Sequence, residues 1–393
     1  MLPAATASTP APIAAAAVRE VLNGRQVQPL FQPIVDLGTR AVVAVEALAR
    51  GPAGTALEFP DRLFAAATDA GLVGQLDLLC CERALECAIA APVTPPLVFV
   101  NAEPGVLNQP LSPRLIELVR GGLPFRQVLE FTERALPAVP GSMLRIASMV
   151  QQWGNGLALD DVGVDPMSLA FLPVLEPEVI KLDMSLVRNP DAEHTCAVSA
   201  VVRAEAQRTG AVVIAEGIET EADLLTARQL GARWGQGWLF GRPGLLEHAR
   251  HTYARDAVRQ LRPPRPGFHQ PDTTPFQIAV RQSTTRLAID HEVNAVVAQL
   301  RDVVAADAAI MVIASVPAGA IPAASGSLPE LVGRARSVLV VDTPIPGEFS
   351  VAVIGAGHGA AVCGRVGQQP QTVFTEDLAT VAEISRAMLS QLL

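Results

Sequence analysis

Lysine is almost missing from this 393-residue chain: of its 30 basic residues, Lys181 alone is a lysine and the rest are arginine. The basic residues are outnumbered by 39 aspartates and glutamates, giving a formal charge of −9. That balance excludes a general binder of nucleic-acid polymers or of anionic membrane surfaces. Cysteine is scarce and odd in number (Cys80, Cys81, Cys87, Cys196 and Cys363), with no metal-ligand spacing. A disulfide framework is therefore excluded, and reduced thiols in a cytoplasmic setting are expected. No long apolar run is free of helix breakers; the longest uncharged one, beginning at Ala308, contains Pro317 and Pro322 and cannot span a membrane. The Ala/Pro/Thr-rich N-terminus has no positive residues ahead of its apolar part, so it does not read as a signal peptide. Neither G-x-G-x-x-G nor a Walker pattern follows any predicted strand, which removes a glycine loop for cradling nucleotides.

What is present is a regular alternation. Short apolar runs of strand length recur from Leu30 to Phe240, separated by helix-length segments, and nearly every run ends in a polar residue. Ala41–Leu48 contains Glu46, Leu97–Val100 runs into Asn101, and Val128-Leu129 into Glu130. Leu157–Leu159 stops at Asp160 and Asp161, Val179-Ile180 at Lys181, and Val212–Ala215 at Glu216, with Glu219 close behind. Alternating strands and helices imply a largely parallel sheet. A closed barrel is preferred to an open sheet because it converges all the strand ends on one rim, where an open sheet converges two or three. The donors gathered there are hard oxygens, which suit magnesium or manganese. None of the six histidines stands at one of these strand ends, which argues against zinc. A lone lysine at a strand end, in a chain that otherwise uses arginine, points to a role for a compact ammonium that a planar guanidinium cannot fill.

In order and spacing, the blocks Phe31-Gln32-Pro33-Ile34-Val35, Glu46-Ala47-Leu48-Ala49-Arg50, Leu129-Glu130-Phe131-Thr132-Glu133, Leu159-Asp160-Asp161, Ile180-Lys181-Leu182-Asp183, Ala215-Glu216-Gly217-Ile218-Glu219 and Gly235-Gln236-Gly237-Trp238-Leu239-Phe240-Gly241-Arg242-Pro243 resemble the EAL-domain family of cyclic di-GMP phosphodiesterases. The resemblance implies a modified TIM-like β/α barrel and hydrolysis of cyclic di-GMP to linear pGpG with two Mg2+ or Mn2+ ions. It implies metal ligation by Glu46, Asn101, Glu130, Asp160 and Asp161, with Glu219 supporting the metal site. Glu216 would be the general base, Lys181 would hold the attacking water or phosphate, and Glu133 would brace the loop after Asp161. Gln32, Arg50 and Gln236 would contact substrate. The family's D-D-F-G-x-G-Y-S-S-L stands here as Asp160-Asp161-Val162-Gly163-Val164-Asp165-Pro166-Met167-Ser168-Leu169, which loses a glycine and an aromatic and gains a proline. That departure keeps an alternative open, a receptor that holds cyclic di-GMP without efficient turnover. A homodimer through the barrel is also left open.

The expected organisation is a tail over 1–20, the barrel over 21–255, a proline-rich linker over 256–275, and a smaller α/β domain over 276–393. Five prolines between Leu261 and Pro275 mark the linker. In the last domain Phe276–Val280, Ala309–Val316, Val338–Val341 and Phe349–Ile354 read as strands, with helices over Ala288–Val304 and Glu376–Leu392. Through Thr274-Pro275-Phe276, Phe349-Ser350-Val351-Ala352-Val353-Ile354 and Phe374-Thr375-Glu376-Asp377 this domain faintly resembles the DICT sensory domain, with a GAF-like regulatory fold as the alternative, and its own ligand or partner is unknown.

Overall fold

The barrel begins with a reversal. In the computed structural model, β1 (Leu30–Asp36) and β2 (Val42–Leu48) form an antiparallel hairpin in which Gln32 stands opposite Glu46. Asp36 shapes its turn by accepting from the backbone N–H groups of Gly38 and Thr39. The following strands are β3 (Leu97–Ala102), β4 (Arg126–Thr132), β5 (Gly156–Val162), β6 (Val179–Leu182), β7 (Val212–Ala215) and β8 (Trp234–Gln236). They close a barrel in the order β1 to β8; after the hairpin, β2 pairs with β3 and β5 through β8 pair in succession, each in parallel. The expected barrel is therefore present, modified by its antiparallel first pair. Residues 11–102, 110–132, 139–165, 167–249, 252–282, 286–287, 300, 304, 310–317, 337–342, 344–367 and 370–392 are described. By internal contacts the chain falls into two units, residues 1–130 with 236–258, and residues 131–235 with 259–393.

In the first unit α1 (Ala11–Asn23), α2 (Pro60–Asp69), α3 (Val73–Ile89) and α4 (Pro113–Arg120) surround β1 to β4. Helices α2 and α3 are parted at Ala70-Gly71-Leu72, where Gly71 takes a positive φ. Ser112 caps α4 by accepting from the Leu115 N–H. Val18, Val21, Leu63, Leu76 and Leu79 form one core cluster, and Phe31, Val45, Leu85, Val98 and Tyr253 belong to another.

In the second unit α5 (Pro140–Gln152), α6 (Met167–Leu175), α7 (Met184–Arg188), α8 (Glu193–Thr209) and α9 (Glu221–Gln229) accompany β5 to β8. Helix α6 is unusual. Leu169, Ala170, Phe171, Leu172, Val174 and Leu175 are all buried, so this stretch presents no face to solvent among the described residues and must be covered outside as well as inside. The outer cover includes α11 (Leu378–Leu389), from the C-terminal domain.

That domain carries a six-stranded sheet in the order β11-β10-β12-β13-β14-β9, where β9 is Arg286–Leu287, β10 Met311–Ser315, β11 Ser337–Val340, β12 Glu348–Ile354, β13 Gly359–Arg365 and β14 Gln371–Thr375. Against expectation, Phe276–Val280 is helical, inside α10 (Pro275–Gln282). Its start has reciprocal caps: Gln277 N–H donates to Thr274 Oγ1, and Thr274 N–H donates to Gln277 Oε1. Most of the helix expected over Ala288–Val304 lies outside the described residues. The proline-rich stretch is packed chain: Leu261 and His269 are buried, and Arg265 N–H donates to Gln151 Oε1.

Candidate active site

Two groups of polar side chains stand at the strand ends, one in each unit. In the first, Glu46 on β2 is 4 % exposed and its two oxygens are held by amides, Oε1 by Asn101 Nδ2 at 3.1 Å and Oε2 by Gln236 Nε2 at 2.7 Å. Gln236 also donates to Gln32 Oε1 at 3.0 Å, and Gln32 Nε2 reaches the Gly241 carbonyl at 3.1 Å. Cross-strand pairing of Gln32 with Glu46 puts both side chains on the same face of the hairpin. Glu130 on β4 is fully buried. Arg50 lies beyond the end of β2 and donates to the Ala49 carbonyl; burial lowers its pKa from the ordinary guanidinium value. It lines a pocket of about 310 Å³ together with Asn101, Pro60, Phe64 and Asp77. The six first-unit residues picked out in the sequence thus fall at or next to the strand ends. Five of them are almost wholly enclosed or hydrogen-bonded to one another.

In the second unit the Lys181 side chain is 1 % exposed and its Nζ sits between Asp160 Oδ1 and Glu216 Oε1, at 2.9 Å from each. Asp160, Asp161 and Glu216 can each place a carboxylate oxygen within 4.8 Å of the other two. Strand alternation alone would not allow this, because neighbouring residues on a strand face opposite ways. The chain solves it with a bulge. Pairing between β5 and β6 slips between Leu159 and Val162, and Asp161 takes a left-handed conformation with φ of 57°. Bulges re-aim side chains in this manner, and aspartate is among the residues that tolerate the left-handed region. After the bulge Gly163 has φ of 110°, and a side chain there would run into Leu186 at 2.7 Å. The Gly163 carbonyl accepts from His194 Nε2 at 2.6 Å, a contact that nothing in the sequence spacing indicated.

One of the expected residues is not in this group. Glu219 is half exposed and paired with Arg188 at 3.0 Å. Glu133 lies outside the described residues. In the second unit three carboxylates converge in one cluster whose hard oxygens suit a divalent cation; in the first, Glu46, Asn101 and Glu130 stand at the ends of β2, β3 and β4. Among the described residues no histidine or cysteine joins the converging cluster, which disfavours zinc there.

Comparison with known proteins agrees with this architecture. The chain is 32% identical over 235 residues to the probable cyclic di-GMP phosphodiesterase PdeB of Escherichia coli K12, covering 57% of this chain and 44% of PdeB. It is 30% identical over 259 residues to the cyclic di-GMP phosphodiesterase NbdA of Pseudomonas aeruginosa, covering 62% and 33% respectively. The matched parts thus span less than half the length of these relatives. Among solved structures, Klebsiella pneumoniae BlrP1 in a manganese and cyclic di-GMP complex matches with a TM-score of 0.50 at 29% identity, over 57% of each chain. The Xanthomonas citri FimX EAL domain in complex with cyclic di-GMP matches in fold, with a TM-score of 0.54 at 19% identity, over 62% of this chain and 97% of that one. The EAL domain profile matches residues 15–243, more than half of the chain, and includes every strand of the barrel. With its barrel, its strand-end carboxylates and that match in agreement, the chain belongs to the EAL domain family.

Proposed function

We propose that the barrel is a metal-dependent phosphodiesterase that hydrolyses cyclic di-GMP to linear pGpG, and that the C-terminal domain regulates it. The observation that carries this reading is Lys181, an enclosed ammonium bridging Asp160 and Glu216 beside Asp161. Glu46, Asn101, Glu130 and Asp160 would hold one Mg2+ or Mn2+ ion and Asp161 would join in holding a second. Bound there, such ions neutralise phosphate charge and make water more acidic.

The remaining work falls to side chains. Glu216 accepts a proton from the attacking water; the water oxygen bonds to phosphorus while the phosphorus–O3′ bond breaks, and the departing O3′ takes up a proton from solvent. The opened ring leaves as pGpG, with a 5′-phosphate at one end and a free 3′-hydroxyl at the other. Lys181 orients the Glu216 carboxylate and donates toward the phosphoryl oxygens as their charge grows, a compact contribution suited to an ammonium. Arg50 grips a phosphate or a guanine edge through its planar fork. Gln32 and Gln236, already bonded to each other, present amides to the substrate. Glu133 braces the loop after Asp161, and Glu219 supports the metal site.

A second reading is favoured by one feature. The segment after the bulge is Val164-Asp165-Pro166, with Val164 half exposed, where the family has a glycine. A stiffer loop fits a receptor that binds cyclic di-GMP and turns it over poorly. Incubation with cyclic di-GMP and Mg2+ or Mn2+, followed by ion-exchange separation of nucleotides, decides between them. Accumulating pGpG supports the enzyme; tight binding without pGpG supports the receptor; no binding in either metal refutes both.

A further inference from the structure

The C-terminal end of α6 is closed by residues that come from beyond the barrel strands. A helix leaves its last four carbonyls without partners inside the helix. Here Leu172 is served by the Glu176 N–H at 2.8 Å. The Pro173 and Val174 carbonyls both accept from Arg386 Nη1, at 3.2 Å each, and the Leu175 carbonyl accepts from His269 Nε2 at 2.8 Å. Arg262 donates to the next carbonyl, that of Glu176. Arg386 belongs to α11 of the C-terminal domain and is 4 % exposed. Its guanidinium and that of Arg265 both stack on Phe268, at 3.9 and 3.4 Å from the ring centre. Glu176 takes a left-handed φ of 42° to end the helix and is paired with Arg208 and Arg265. The same docking brings the end of α11 and the residues just after it against α5, so closely that a side chain at Gly141 would meet the Leu389 carbonyl at 2.9 Å and the Leu392 carbonyl at 1.7 Å.

Placement gives this closure its consequence. Helix α6 starts six residues after Asp161 and ends six residues before Lys181, so it is the strut between two strands of the candidate active site. It is short, apolar all round, and interrupted by Pro173, which donates no hydrogen bond of its own. Positive charge at a helix C-terminus also favours its dipole.

We propose that Arg386 is a positioning residue: by closing the C-terminal end of α6 it makes the C-terminal domain part of the strut that sets Asp160, Asp161 and Lys181. The consequence for metal rests on the function proposed above; the strut itself does not.

The test uses the full chain with Arg386→Met, Arg386→Lys and, as a control, Val353→Ala, which removes volume from the buried core of the C-terminal sheet and leaves the closure intact. Amide hydrogen exchange without metal is followed over residues 159–182, Mn2+ affinity by paramagnetic resonance of the free ion, and Tm by calorimetry. Arg386→Met is expected to lower protection over 159–182 and to weaken Mn2+ binding on the order of 10-fold, the scale for a group that orients a ligand. Arg386→Lys, which keeps the charge and a donor, should recover most of that affinity, and Val353→Ala should lower Tm without changing it. Unchanged protection in Arg386→Met overturns the proposal. So does lost protection with Mn2+ binding intact, or an equal Mn2+ loss in Val353→Ala. If the wild type takes up no Mn2+, the metal reading fails, and the exchange result alone upholds or overturns the strut. Should Arg386→Met not fold, Arg386→Lys is compared with Val353→Ala by the same three measurements.

Discussion

Lys181→Met removes one charge from the centre of the second carboxylate cluster and keeps nearly the same length of side chain. In the wild type Nζ lies 2.9 Å from both Asp160 and Glu216, and the lysine side chain is 1 % exposed. Breaking a buried pair by deleting one partner costs about 3–5 kcal/mol, because the surviving charge stays buried without compensation. Here two carboxylates survive, although Glu216 is 21% exposed and water relieves part of its cost. The lower half of that range is therefore expected. In a domain of about 150–250 residues each kcal/mol moves Tm by roughly 2–4 °C, so calorimetry in EDTA should show a drop of roughly 10 °C. Mn2+ should then raise Tm more in the variant than in the wild type, since a cation bound by the carboxylates replaces the missing charge and stabilises the state it binds. Turnover should not return with stability. Losing a group that stabilises transition-state charge costs on the order of 10²-fold or more in kcat. A variant with the wild-type Tm in EDTA would refute the electrostatic account of Lys181, and wild-type pGpG production in it would refute the catalytic one.

Other perturbations test separate parts of the structure. Glu46→Ala leaves the amides of Asn101 and Gln236 without their shared carboxylate; hydrolysis should fall by more than the roughly 10–100-fold typical of losing a supporting group, as a pGpG assay with Mg2+ would show. His269 is held neutral, its pKa pushed down to about 3 by burial, while the unfolded chain takes up a proton near 6.5. Between those values the unfolded state binds more protons, so stability falls as pH falls, by about 2 kcal/mol from neutrality to pH 5. His269→Gln, which keeps a donor for the Leu175 carbonyl, should flatten that dependence in Tm measured from pH 7 to 5. Ending the chain at Gln260 deletes Arg262, His269, Arg386 and the outer cover of α6; each large apolar side chain uncovered costs about 1.5–3 kcal/mol, and the shortened chain should aggregate on expression. A monomeric, cooperatively melting fragment would show that α6 needs no cover.

The parts of the site that were legible in the sequence are those where one strand ends in one polar residue. Asn101, Glu130, Asp160, Lys181 and Glu216 follow from run length, since an apolar run that stops at a polar residue marks the mouth of a core, whereas Glu46 lies inside its run and is singled out by the Glu46-Ala47-Leu48 block. Asp161 needed more. Side-chain alternation places it away from Asp160, and only the bulge, a backbone event with no residue signature beyond the neighbouring glycine, brings the two together. Phe276–Val280 was misread because its apolar residues suit a strand, although Thr274-Pro275 followed by Gln277 is a helix-start signature. The strands of Gly359–Arg365 and Gln371–Thr375 are short and rich in small or polar residues, which hides their period. His194, His269 and Arg386 were invisible for a different reason. Each meets a carbonyl between 31 and 213 residues away, and a carbonyl is a partner that every residue offers.

The enclosed lysine bears on the choice between enzyme and receptor through its cost. Bringing an ammonium and two carboxylates out of water costs several kcal/mol per ion, and apolar residues of similar volume in their place are often neutral or stabilising. The bulge adds a left-handed aspartate, an uncommon conformation for a residue with a side chain. A barrel that only held a cyclic dinucleotide could do so with Arg50, the amides of Gln32 and Gln236 and a bound cation, and would lose nothing in stability if apolar residues replaced Lys181, Asp160 and Glu216 together. What Lys181 adds is a compact charge against Glu216, the group proposed to take a proton during the reaction. The value of that contact lies in the transition state and not in the folded or bound ground state. Lys181→Met should therefore bind cyclic di-GMP in Ca2+ nearly as the wild type does while losing pGpG formation in Mg2+. Equal losses of binding and turnover would place Lys181 with the binding groups and leave the receptor as the better reading.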